Sequence, residues 1–148
     1  MMISYNAKKY ATQDGRKPTL FGHSAGGTVG LCYAKDCSAE HFFDRILLFN
    51  APLICPDPRV IFALQEAYVG AQRITSNVTL TMSKFDDVIM DWKIGNFTMT
   101  DAIEAVQKLG KDHVRVIVNT TDPNYKHSPF DHVTVAWDTL NSSVADEK

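Results

Sequence analysis

The chain lacks a long apolar run, carries little net charge and has few cysteines, and each shortage removes a class of function. Nothing approaches the ~18 uninterrupted apolar residues of a membrane span. Fifteen Lys and Arg against 17 Asp and Glu leave a formal net charge of −2, so there is no electrostatic case for nucleic acid or an anionic membrane as partner. The 3 cysteines, Cys32, Cys37 and Cys55, are odd in number and show no C-x-x-C spacing. That argues against a disulfide framework, a zinc site or a redox pair, and for free thiols in a reducing compartment. Met1 to Tyr10 has no apolar block of the signal-peptide kind. Four sequons, beginning at Asn77, Asn96, Asn119 and Asn141, point the other way, towards secretion. Without a signal segment they count as incidental, and the expected location is cytoplasmic. Repeats and low-complexity tracts are also missing, so residues 1–148 read as a single domain.

What is present is an ordinary globular composition, 45% hydrophobic and 22% charged, with enough apolar material for one core. Residues from about 3 to 13 look helical. Thr19 to Phe21 reads as a strand, and Ser24 to about Lys35 as a helix whose Ala25, Gly26, Gly27 and Gly30 allow close packing on a sheet. Ile46-Leu47-Leu48-Phe49 is a continuous apolar run, the pattern of a strand buried on both faces of a parallel sheet. Asp57-Pro58 predicts a helix start, with Ile61, Leu64, Tyr68 and Ala71 following at helical spacing. Val78 to Met82 is the next strand, alternating apolar and polar. Thr98 and Asp101 have capping-box spacing ahead of Ile103, Val106 and Leu109, and Gly110 stops that helix. Val114 to Val118 is the last strand, its Arg115 suggesting a place near the sheet edge. Ser128-Pro129-Phe130-Asp131 starts a final helix with Val133, Trp137 and Leu140 on one face. Alternating strands and helices define an α/β fold: a mostly parallel sheet of about four strands flanked by helices.

Within this pattern the run Pro18-Thr19-Leu20-Phe21-Gly22-His23-Ser24-Ala25-Gly26-Gly27 carries a serine in a G-x-S-x-G arrangement between strand and helix. A serine hydroxyl is a weak nucleophile and has to project from a tight turn to reach both a base and a substrate. Gly22 and Gly26 are expected there because a Cβ would clash in such a turn. Amide N–H groups opening the next helix favour a developing negative charge. A phosphate-binding loop is a poor alternative: no Gly-Lys-Ser/Thr follows, and the spacing is not G-x-G-x-x-G.

Gly22 to Gly27 resembles the nucleophile elbow of α/β-hydrolase esterases and lipases. The resemblance implies a Ser, Asp or Glu, then His order along the chain. Ser83-Lys84-Phe85-Asp86-Asp87-Val88-Ile89 is similar to the G-x-x-D-x-V-V loop of that family, with Ser83 replacing Gly, and this puts the acid at Asp86, with Asp87 one residue away as the alternative. Lys126-His127-Ser128-Pro129-Phe130 is similar to its G-H-S-P-F segment, with Lys126 replacing Gly. That makes His127 the base and His132 the fallback. His23 is a common elbow neighbour, and His113 precedes its strand at the wrong end of the sheet. By the same resemblance Ser24 attacks, Ala25 supplies one oxyanion N–H, and no metal or organic cofactor is required.

The resemblance covers the C-terminal half of the fold. Its earlier strands, and the loop that supplies a second oxyanion donor, are expected to be missing from residues 1–148. The strand at 19–21 would then form an apolar edge, predicting self-association or a completing subunit. The function expected is a serine hydrolase of small-molecule esters or lipids, in competition with an inactive hydrolase-like fragment or interaction module.

Overall fold

The structure, a computed structural model, describes Gly15, residues 17–37 and residues 42–128. Its centre is a four-stranded parallel sheet of β1 (Thr19–His23), β2 (Arg45–Phe49), β3 (Val78–Ser83) and β6 (Val114–Asn119), in the order β1-β2-β3-β6. Leu48 of β2 lies beside Gly22 on one side and Leu80 on the other, and Leu80 beside Val116. Ile46 to Phe49 are all buried, as their unbroken apolar run predicts for an inner strand. In β3 the polar members of the alternation are buried too: Thr79 and Thr81 are 5% and 1% exposed, so alternation here marks two buried faces. Among the described residues β1 and β6 are the outer strands of this sheet, in keeping with the exposed Arg115.

Helix α1 (Ala25–Asp36) returns from β1 and packs on β1 and β2. Glycine sets its distance from the sheet at two points. A Cβ on Gly27 would lie 2.8 Å from the Ala51 Cβ, and one on Gly30 would lie 2.7 Å from Leu48 Cδ2. Ala25 and Gly26 are exposed and take no part in this packing. Lys35, on the same helix, is buried with its ammonium donating to the carbonyls of Ala67 (2.6 Å) and Val69 (2.9 Å). Burial pushes its pKa down.

The long helix expected after Asp57 does not form. Only α2 (Phe62–Gln65) and a 3-10 turn at Ala71–Arg73 are helical there. Tertiary contacts override the apolar spacing. Glu66 bridges to Ile54, Gln65 Nε2 donates to the Asp57 carbonyl (2.5 Å), and Gly70 takes a left-handed φ of 84°. Asp57 binds the Arg59 backbone N–H and guanidinium instead of capping a helix. Ala67, Ala71 and Ile74 supply the core contacts, while Ile61 and Phe62 stay exposed.

Helix α3 (Met99–Leu109) starts as predicted. Thr98 Oγ1 accepts from Asp101 N (3.2 Å), and the Asp101 carboxylate accepts from Thr98 N (2.9 Å). Before it stands a small antiparallel hairpin, β4 (Lys93–Ile94) and β5 (Phe97–Thr98), which the sequence reading passes over. Its two-residue Gly95-Asn96 turn puts glycine first, at φ 60°, a pattern favoured in tight hairpins. The helices expected at about 3–13 and after Ser128, the latter carrying His132, lie outside the described residues. Among the described residues no helix is long and apolar enough to cross a membrane.

Candidate active site

Ser24 stands where β1 turns into α1, with φ 55° and ψ −126°. A positive φ is rare for a residue with a side chain, and holding it takes a well-determined surround. Here Ser24 N donates to the Phe49 carbonyl (3.0 Å), carrying the β1–β2 ladder through the turn, and Thr28 N donates to the Ser24 carbonyl (3.1 Å). Gly22 is required as expected: its Cβ would lie 2.7 Å from the Gly26 carbonyl oxygen and 2.9 Å from the Gly27 Cα. Gly26 is not. A Cβ there meets nothing within 4 Å, and the close approach belongs to Gly27.

Asp86 sits in the turn after β3, opened by Asp86 N donating to the Ser83 carbonyl (3.1 Å). One carboxylate oxygen accepts from Val88 N (2.8 Å) and Ile89 N (2.9 Å), and the other faces His127 Nδ1 at 2.8 Å. Its side chain is wholly buried. His127 follows β6 by a loop, and its Nε2 lies 2.8 Å from Ser24 Oγ. Asp86 is an acceptor, so Nδ1 carries the ring proton and Nε2 presents a lone pair to the Ser24 hydroxyl. The structure thus brings Ser24, His127 and Asp86 into one hydrogen-bonded line. Asp87 is exposed and, among the described residues, meets only the His127 backbone N–H, at 3.4 Å. His113 lies at the start of β6, where its carbonyl accepts from Val78 N, at the opposite end of the sheet.

Three further residues hold the histidine loop, and motif reading alone does not single them out for this role. Asn50, fully buried at the end of β2 with φ 46°, donates through its amide to the carbonyls of Lys126 (2.8 Å) and His127 (2.9 Å). Its side-chain oxygen accepts from Ser83 N (3.1 Å). His23 Nε2 meets the same His127 carbonyl at 2.7 Å, which makes that nitrogen a donor. Ser83, standing where glycine is usual in the motif, donates its hydroxyl to the Tyr125 carbonyl and accepts from Phe85 N (3.2 Å) and Asn119 Nδ2 (3.0 Å). The Asn50 signal was a polar residue, of a type tolerant of left-handed backbone, directly after a buried strand. Tyr125 is buried as well. Its hydroxyl has no partner among the described residues, and burial together with the Asp86 charge pushes its pKa up.

Ser24, Asp86 and His127 all lie beyond the carboxyl ends of the parallel strands, and the parallel four-stranded sheet with its flanking helices matches part of the α/β-hydrolase fold. Solved structures agree. A protein assigned as a dienelactone hydrolase from Klebsiella pneumoniae superposes with a TM-score of 0.58 at 12% identity, over 86% of this chain and 47% of its own. A monoacylglycerol lipase from Paleococcus ferrophilus gives a TM-score of 0.58 at 14% identity, over 92% of this chain and 72% of its own. An acylaminoacyl peptidase gives 0.53 at 13%, over 86% of this chain and 22% of its own. The chain therefore spans about half the length of the first of these and less of the third. No protein-family model matches it, and comparison with curated proteins likewise finds no match.

Proposed function

We propose that this protein is a serine hydrolase of small-molecule carboxylic esters or lipids, working through an acyl-enzyme on Ser24. The observation that carries this reading is the unbroken line from Asp86 through His127 to Ser24, 2.8 Å at each link, ending on a serine held at positive φ. Ser24 Oγ adds to the ester carbonyl carbon while its proton passes to His127 Nε2. Asp86 holds the imidazole in the reactive tautomer and stabilises its charged form. The carbonyl π electrons move onto oxygen, where the Ala25 N–H at the start of α1 donates. One such donor is typically worth about 10²–10³ in turnover. Collapse expels the alcohol, which takes the proton from Nε2, and water repeats the sequence to release the acid. The scheme calls for no metal or organic cofactor.

A fluorophosphonate probe tests this directly. The reading expects stoichiometric labelling of the full chain, lost in Ser24→Ala with the melting transition retained. An unlabelled but folded wild-type protein would favour the inactive hydrolase-like module.

A further inference from the structure

Beside the Ser24 turn lies a cavity of about 220 Å³ that the reaction scheme leaves unused. Ala25 and Val29 of α1 form one side, Pro52 and Leu64 of the segment after β2 another, and Trp92 a third. Its surface is almost wholly apolar. The one hydroxyl in the wall, that of Thr28, is already committed to the Pro52 carbonyl at 2.8 Å, and the Cys55 thiol beside it is at most a weak hydrogen-bonding group. Such walls offer nothing to orient a polar ligand and reward only the removal of apolar surface from water.

Location supplies the occupant. Ala25 is both a wall of the cavity and the residue whose N–H is assigned to the ester oxyanion, so a substituent on that carbonyl has the cavity as its adjoining apolar space. Size limits it. An apolar cavity of about 150 Å³ accepts benzene, with six carbons, so this one has room for roughly eight or nine. On the short α2 that borders it, Phe62 is 70% exposed, and Ile61 just before it 71%. Apolar side chains left in water there suit a rim over which an acyl chain passes better than they suit a core helix.

We propose that this cavity is the acyl-binding pocket and that it selects acyl chains of up to about eight carbons. The proposal rests on the reading of Ser24 as nucleophile. The test therefore has one arm that depends on chemistry and one that does not.

In the first arm, p-nitrophenyl esters from acetate to palmitate are compared on the full chain. Each added methylene is expected to raise kcat/KM about three- to fourfold up to about C8, with a fall beyond about C10. Val29→Phe, and separately Leu64→Phe, should lower the octanoate-to-acetate ratio at least tenfold. A flat chain-length profile, or an unchanged ratio in either folded variant, overturns the proposal. In the second arm, 8-bromooctanoate is titrated into Ser24→Ala carrying Trp137→Phe, which leaves Trp92 as the lone indole. Saturable quenching that Val29→Phe weakens at least tenfold supports the pocket even if Ser24 proves unreactive. Ester hydrolysis without chain preference, and without saturable quenching, removes the pocket and leaves the hydrolase.

Discussion

Asn50 and His127 lie 77 positions apart and are joined by a part-buried hydrogen bond: the Asn50 amide donates to the His127 carbonyl at 2.9 Å. The same amide holds the Lys126 carbonyl at 2.8 Å, while its oxygen takes the Ser83 N–H at the end of β3. One side chain thus fixes the His127 loop to the end of β3, from the strand that lies between β1 and β3. With His23 bound to the same carbonyl at 2.7 Å, the imidazole is positioned through its backbone as well as its ring.

Replacing Asn50 separates positioning from strain. Asn50→Gly keeps a residue at ease with φ 46° but removes the amide. Labelling by a fluorophosphonate should slow about 10–100-fold, since small displacements of a reacting group cost about that much. Asn50→Ala should slow labelling similarly and melt lower than Asn50→Gly, by the roughly 1–2 kcal/mol a Cβ costs in the left-handed region. Labelling rates beside thermal melts decide it. Equal melts would remove the strain argument, and unchanged labelling would remove the positioning role.

The two adjacent aspartates should behave very differently. Asp86→Asn is expected to cut turnover about 10⁴-fold, because an amide at that position permits the wrong imidazole tautomer. Among the described residues Asp87 touches only the His127 backbone N–H, at 3.4 Å from an exposed side chain, so Asp87→Asn should change turnover less than about threefold. Ester hydrolysis by both variants at one pH is the measurement. Comparable losses in the two would sink the assignment.

Gly26 and Gly27 make a neighbouring pair with opposite expected effects. Gly26→Ala puts its methyl into open space on a helix and should stabilise by about 0.5–1 kcal/mol. Gly27→Ala drives a methyl to 2.8 Å from the Ala51 Cβ and should destabilise by about 1–3 kcal/mol as α1 lifts from the sheet. Urea unfolding of both variants provides the comparison.

Tyr125 predicts a pH effect. Its phenol is buried, has no partner among the described residues, and has its pKa pushed up by burial and by Asp86. Above about pH 10 the unfolded chain loses this proton while the folded one keeps it, so the folded state binds more protons and stability falls as pH rises. Tyr125→Phe should remove that component of the alkaline loss. At neutral pH it should be neutral to stabilising by about 1 kcal/mol, because an unpaired buried hydroxyl is deleted. Melts of both proteins at pH 7 and pH 10.5 check the sign. A variant that loses stability at pH 7 would mean the hydroxyl has a partner.

Legibility in the sequence followed the range of the interactions. The Thr98–Asp101 box joins residues three apart and stands in the structure as its letters suggest. Ile46 to Phe49 could be read as an inner strand because both its faces are apolar. The 57–71 segment could not. Its helical spacing is real, but the Ile54–Glu66 bridge and Gly70 at φ 84° reshape the chain. The expectation at Gly26 fails for a related reason: which glycine after Ser24 meets a neighbour depends on Ala51, a residue distant in the chain.

The short-range features are legible in the letters: alternating strand and helix patterns, the tight turn around Ser24 that needs Gly22, and residue types suited to nucleophile, acid and base. Those properties belong to a few neighbouring residues, whose backbone preferences and chemistry act locally. Long-range contacts alone place β2 and β3 between β1 and β6, make Asn50 the tie between the end of β3 and the His127 loop, and open an apolar cavity beside Ala25. These depend on contacts between residues dozens of positions apart, which register and close packing select and no local pattern encodes.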